Sequence, residues 1–354
     1  MKKSWKKLGV TAIGLLAVAT LAACGGTKEK TKTDGGDKKA DAKTDKLVIY
    51  SPNSEGLINA TIPAFEEKYG IKVELIQAGT GELFKKLESE ASSPVADVIF
   101  GGSYSLYDAN ADLFEKYTSS ENDKLIKDYQ NKNGYSTSYT LDGSVIVVNP
   151  DLTKGIEIKS YKDLLNPELK GKIATADPAN SSSAFSQLTN MLIDKGGYDN
   201  EKAWSYVSKL FKNIDGKISS SSSNVYKTVA DGEMAVGLSY EDPVVKLIND
   251  GANVKIVYPS EGTVFLPAGA AVIKNAKNMA NAKKFIDFIT SKEIQNVLAT
   301  TTTNRPVRDD VETSKNMPPL SEIKSVTEDY DYVNKHKDEI VAKYNEVFVD
   351  SQSK

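Results

Sequence analysis

Along this 354-residue chain, short β-type runs alternate with helix-period segments in two separate blocks. That alternation constrains the fold more than any other feature, because strands joined by helices of this length pair in parallel within an α/β sheet. In the first block residues 46–51 (KLVIYS) read as a strand, and Leu57, Ile58, Ile62, Phe65 and Tyr69 recur at helical spacing over 55–69. Residues 71–76 alternate apolar and polar side chains, and Gly79-Thr80-Gly81 turns the chain. Leu83, Phe84, Leu87 and Ala91 then mark a second helix, and 95–100 (VADVIF) a third strand. The second block predicts strands at 172–176, 217–219 and 233–239, with helices over 183–195, 201–213, 224–231 and 244–250.

The runs 144–148 and 254–258 lie between the two patterns, which puts a crossover at each and makes a two-stranded hinge. After residue 258 the chain returns to the first block through 270–273 and helices over 279–290 and 292–299. A last amphipathic helix over 329–348 packs through Tyr332, Ile340, Tyr344 and Val347, with His336, the only histidine, on its charged side. The expectation is therefore two α/β lobes, one built from 46–145 and 260–354, the other from 146–259. About 300 residues after Lys46 is also more than one hydrophobic core normally serves.

The first 23 residues have the three-part layout of a secretory signal peptide: Lys2, Lys3, Lys6 and Lys7, an apolar run from Leu8 to Ala19, and small residues before Cys24. The apolar run is shorter than the roughly 20 residues that span a bilayer. Leu21-Ala22-Ala23-Cys24 resembles the lipobox of bacterial lipoproteins, which implies a diacylglycerol thioether on Cys24 and attachment to the outer face of the cell membrane. Cys24 is the only cysteine, so no internal disulfide is expected in an exported protein. Residues 24–45 then run as a Lys, Asp, Thr and Gly tether without large apolar side chains, expected to be disordered and to reach on the order of 25 Å.

In open α/β sheets, ligands bind beyond the carboxyl ends of the strands, beside helix N-termini with free N–H groups. In the first block those loops carry Ser51, Asn53 and Ser54, then Thr80, Gly81 and Glu82, then Ser103. In the second they carry Asn180, Ser181, Ser182, Ser183 and Ala184, the serine run 220–223 with Asn224, and Tyr240, Glu241 and Asp242. A single serine or threonine at such a place is an ordinary N-cap. Recurrence at the strand ends of both lobes points instead to a ligand. Residues 180–184 are the sharpest instance, since small residues entering a helix leave amides free for a phosphate, phosphonate or carboxylate. Glu82, Glu241 and Asp242 supply carboxylates for an ammonium, sugar hydroxyls or a metal, or else complement the helix dipole.

With 45 Lys and Arg mixed among 48 Asp and Glu and a formal charge of -3, no basic field suggests nucleic acid. There is no G-x-S-x-G elbow, Walker A sequence or H-E-x-x-H motif, and no cofactor is expected. An exported hydrolase using carboxylates alone and a surface adhesin are the readings from other classes.

The segments YSPNSEGLINATIPAFEEKYGIKVELIQAGTGELFKKLESEASSPVADVIFGG, DLLNPELKGKIATADPANSSSAF, VADGEMAVGLSYEDP and VKIVYPSEGTVFLPAGAAVIKNAKN resemble the ferric-iron, aminoethylphosphonate and hexose-phosphate group of ABC importer binding proteins. The resemblance implies a type II periplasmic-binding-protein-like fold of two hinge-linked doubly wound sheets, acting as a monomer that closes on a small anionic solute and docks on a permease with ATPase subunits. Iron-binding members of the group typically place a histidine in the first loop, a glutamate in the second and a tyrosine pair in the second lobe. Here Ser54, Glu82 and Glu241-Asp242 stand at the matching positions, so an iron site would draw on Glu82, Tyr240, Glu241 and Asp242. The members that take phosphonates or sugar phosphates resemble this chain more closely in SYEDP and YPSEGTVF. By that resemblance Ser181, Ser182, Ser183, Ala184, Thr80 and Ser54 hold phosphoryl oxygens, and Glu241 or Asp242 the other end of the ligand.

Overall fold

Burial parity along two strands organises both lobes of the protein, whose computed structural model describes residues 45–353, Lys217 excepted. The leader, Cys24 and all but the last residue of the tether lie outside the described residues. In the first lobe the elements are β1 (Lys46–Ser51), α1 (Glu55–Tyr69), β2 (Lys72–Gln77), α2 (Thr80–Glu90), β3 (Val98–Ser103) and α3 (Tyr104–Ala109). Strand β1 is central, and parallel pairing with β2 and β3 puts its odd and even side chains on opposite sheet faces. Leu47 and Ile49 enter one apolar cluster with Phe65 of α1, while Val48 and Tyr50 enter another with Leu83, Phe84 and Leu87 of α2. Each such fully buried aliphatic side chain stabilises the lobe by roughly 1.5–3 kcal/mol relative to exposure.

Strand β4 (Ser136–Val148) follows, a 13-residue strand that belongs to both lobes. The second lobe then adds α4 (Pro150–Thr153), β5 (Ile173–Ala176), α5 (Ser182–Asp194), α6 (Glu201–Ile214), β6 (Ile218–Ser219), α7 (Ser222–Ala230), β7 (Val236–Tyr240), α8 (Glu241–Asn249) and β8 (Lys255–Val257). Here the parity argument repeats on β4. Ile146 and Val148 face the cluster of α5 and α6, whereas Val145 and Val147 face Val225 and Val229 of α7 and Val244 of α8.

The return path runs through β9 (Thr263–Val272), α9 (Met279–Thr290), α10 (Lys292–Thr301), β10 (Arg305–Pro306), β11 (Ser325–Val326) and α11 (Tyr330–Gln352). The sheet order is β2-β1-β3-β9-β4-β7-β5-β6, so one mixed sheet continues through both lobes. Residues 136–143 of β4 pair with β9 in the first lobe, and residues 144–148 pair with β7 in the second. The parallel strands expected in each lobe are present, flanking this antiparallel centre.

The assignment of residues 260–354 to the first lobe needs correction at its end. Helix α11 buries Val333, Ile340 and Tyr344 in the cluster that holds Ile146, Trp204 and Phe211, which is the core of the second lobe. The Phe211 ring meets Tyr344 and Phe348 edge-on at centroid separations of 4.9 and 5.1 Å. A third crossing, after β11, therefore joins the lobes besides the two expected.

Candidate functional site

Five of the six loops singled out by their hydroxyl content send residues into one cleft of about 470 Å³. Thr80, Gly102 and Ser103 come from the first lobe, residues 180–183 and 220–222 with Tyr240 from the second, and Asp142–Ser144 and Leu266–Ala268 from the two strands that join them. A groove of similar size, about 530 Å³, runs between α6 and α11, but its walls belong to one lobe only.

The cleft's floor is held by polar contacts within the sheet. Gln187 of α5 donates to the carbonyls of Val145 and Ser239 at 2.7 and 2.5 Å and accepts from Tyr161, which fixes α5 against β4 and β7. Asp177 accepts from the Ala179 amide and the Asn180 side chain, shaping the approach to α5. The Ser181 hydroxyl caps that helix by accepting from the Ala184 amide at 3.2 Å, and the Phe185 amide bonds to the Ser181 carbonyl. The two amides that remain, of Ser182 and Ser183, lie at the cleft. In α7, Ser221 caps the Ser223 amide in the same way and leaves Ser222 facing the cavity. The N-cap of α2 is Gly79, which has no side chain to spend on the first amides of that helix. Gly102, with φ of 98°, lets β3 pass this helix closely, since a Cβ there would stand 2.9 Å from the Thr80 methyl.

Helix α8 differs. Its first amides, of Glu241 and Asp242, donate to Asp142 Oδ1 at 3.1 and 3.4 Å, so the protein's own carboxylate occupies that N-terminus. Burial first, then the charges of Asp242 and Glu241, hold the Asp142 carboxyl well above the usual range, with the two backbone hydrogen bonds acting in the opposite sense. Burial also raises the Tyr240 phenol, with the Asp142 charge adding to it. The lining contains no Lys, Arg or His, and Asp142 is its one carboxylate.

The expected site residues therefore divide. Thr80, Ser103, Asn180, Ser181, Ser182, Ser183 and Tyr240 line the cleft. Ser51 is fully buried and donates to the Phe100 carbonyl, and Asn53 bridges that carbonyl to the Tyr139 hydroxyl, so both shape the loop rather than the cavity wall. Ser54, Gly81 and Glu82 are exposed outside the lining, Ala184 is buried behind its cap, and Asn224 donates to Ser219.

Glu241 does not reach the cleft. It is 1% exposed and forms a bidentate pair with Arg305 at 2.6 and 2.9 Å, and Tyr258 donates to it at 2.5 Å. Asp242 accepts from Thr303 at 2.5 Å. Both acids tie the second lobe to the chain around β10, and neither lines the cleft. The expected metal set of Glu82, Tyr240, Glu241 and Asp242 is thus dispersed, and among the described residues no three His, Cys, Asp or Glu side chains group as a metal site. Asp142 was missed because it interrupts a β run where an acid reads as a turn residue.

The sequence profile described as bacterial extracellular solute-binding protein matches residues 60–324. An uncharacterized protein of Haemophilus influenzae is 31% identical over 71% of this chain and 74% of its own length. Iron uptake protein A1 of Synechocystis is 28% identical over 80% and 81%. Among solved structures, the periplasmic binding protein AfuA of Actinobacillus pleuropneumoniae, with fructose-6-phosphate bound, superposes with a TM-score of 0.73 at 27% identity, covering 86% of this chain and 98% of AfuA. No described helix is long and apolar enough to cross a membrane.

Proposed function

This chain belongs to the bacterial extracellular solute-binding proteins, the capture subunits of ABC importers rather than enzymes, and on that premise we propose that its solute carries a phosphoryl or phosphonyl oxyanion. One observation carries the reading: three helix N-termini, of α2, α5 and α7, meet at a serine-lined cleft that has no basic side chain. Free amides and hydroxyls bind a dianion through fixed dipoles, and the positive ends of the helices supply the field that a lysine or arginine would otherwise give. Asp142, beside them, suits a hydroxyl at the other end of the same solute. The solute bridges both lobes and so draws them together by its greater affinity for the closed state.

The named relatives point in two directions, one toward iron and one toward a sugar phosphate. The cleft favours a phosphoryl or phosphonyl group over iron, because Glu241 and Asp242 are engaged by Arg305 and Thr303 and leave few hard oxygen donors for a ferric ion. Calorimetric titration with fructose-6-phosphate, 2-aminoethylphosphonate, inorganic phosphate and ferric citrate tests this. Micromolar or tighter binding of a phosphoryl ligand is expected, weakened at least about tenfold by Ser183→Pro, which removes one amide. Iron binding without any phosphoryl response sinks the reading. Attachment through a diacylglycerol on Cys24 belongs to the same proposal. C24S should release the protein from membranes and remove the lipid mass.

A further inference from the structure

A side chamber of about 60 Å³ opens beside the cleft, and Ser103, Ser182, Ser186, Leu266 and Pro267 line both. Its inner wall carries Glu328, which stands between β11 and α11 and is 6% exposed. Thr189 of α5 donates to one of its carboxylate oxygens, and no ion pair reaches it among the described residues. A carboxylate withdrawn from water normally needs a cation or several donors. This one has a single hydroxyl. Burial pushes its carboxyl up to about 7, with the Thr189 bond acting in the opposite sense.

Resting on the oxyanion reading above, we propose that this chamber is the subsite for a primary ammonium group, so that the solute is a short zwitterion with its oxyanion at the Ser182 and Ser183 amides and its ammonium on Glu328. The chamber is roughly one-eighth the size of the cleft, room for a small polar group such as an aminomethyl rather than for a sugar ring. Phe185, Leu266, Pro267 and Val333 give the methylene an apolar wall. A hard cation would require several oxygen ligands, and the chamber offers one carboxylate. Ser182 borders both spaces, so the two ends of one small solute can reach them together. Lys337, exposed at the rim with its ammonium 5.4 Å from the Phe185 ring centroid, leaves Glu328 unpaired.

The test compares 2-aminoethylphosphonate with ethylphosphonate and N-acetyl-2-aminoethylphosphonate by calorimetry on the full chain at pH 8. The free amine should bind at least about tenfold tighter than either probe, as expected for one charge-assisted hydrogen bond. E328Q should abolish that preference, bringing the affinities of the three probes to within about twofold of one another. Equal affinities in the wild type, or a preference that survives E328Q and vanishes in D142N, overturn the chamber assignment and leave the oxyanion reading standing. If the diamine putrescine binds and none of the phosphonates does, both fall. The comparison among the three probes needs no variant, so a poorly folding E328Q would not protect the proposal.

Discussion

Glu328 links proton binding to stability through its burial. Its carboxyl titrates from the ordinary 4.5 in the open chain to about 7 in the folded protein, so between those values the folded state holds a proton that the unfolded state has lost. Stability from this group is therefore full below about 4.5 and falls as pH rises to about 7, by about 3 kcal/mol at most. Thr189 donates to it, and Tyr198 and Tyr330 have their phenols raised partly by its charge. E328Q has no such proton to lose. The melting temperature of E328Q should gain on that of the wild type as pH is raised from 5 to 8, and a constant difference across that range would contradict the assignment. Glu241 shows why single acids resist interpretation from sequence. Its place at a helix start is equally consistent with a solvated first turn and a ligand contact, and its partner Arg305 lies 64 positions away.

At the scale of elements, the helices and most strands were legible because their burial is periodic. Strand β4 was not, since residues 136–144 read STSYTLDGS and carry their pairing on backbone groups and small polar side chains. Only its apolar end at 144–148 announced itself. The lobes meet there around the Arg305–Glu241 pair, both 1% exposed, with the guanidinium 5.2 Å from the Phe265 ring centroid on β9. R305M should cost roughly 3–5 kcal/mol in urea unfolding, because it strands a buried carboxylate. The double variant R305M/E241M should recover much of that loss, and strict additivity of the two would exclude a direct coupling. Gly269 of β9 is a second sensitive point. A Cβ there would lie 2.5 Å from the Tyr107 ring, whose hydroxyl donates to the Gly101 and Gly269 carbonyls at 2.7 Å. G269A should therefore lower stability by about 1–3 kcal/mol through overpacking.

For the whole molecule, two lobes and their cleft loops were readable in the sequence, because strand ends and helix starts alternate in both. The partnership of α11 was not. An apolar stripe such as Val333, Ile340 and Tyr344 specifies that a helix packs, and leaves open against which lobe. Deleting residues 330–354 should accordingly expose the core around Trp204 and Phe211 and raise dye binding by the second lobe, while the first lobe keeps its protection in hydrogen exchange. Loss of protection in the first lobe instead would contradict this packing.

The third crossing also gives the molecule a built-in gauge. Because β1 and β2 lie in one lobe and α11 in the other, a dye pair at K72C and D350C, with the only natural cysteine at Cys24 replaced, spans the two lobes. Energy transfer between the dyes would then read the proposed closure on solute directly, letting candidate nutrients be screened by colour change in a plate reader.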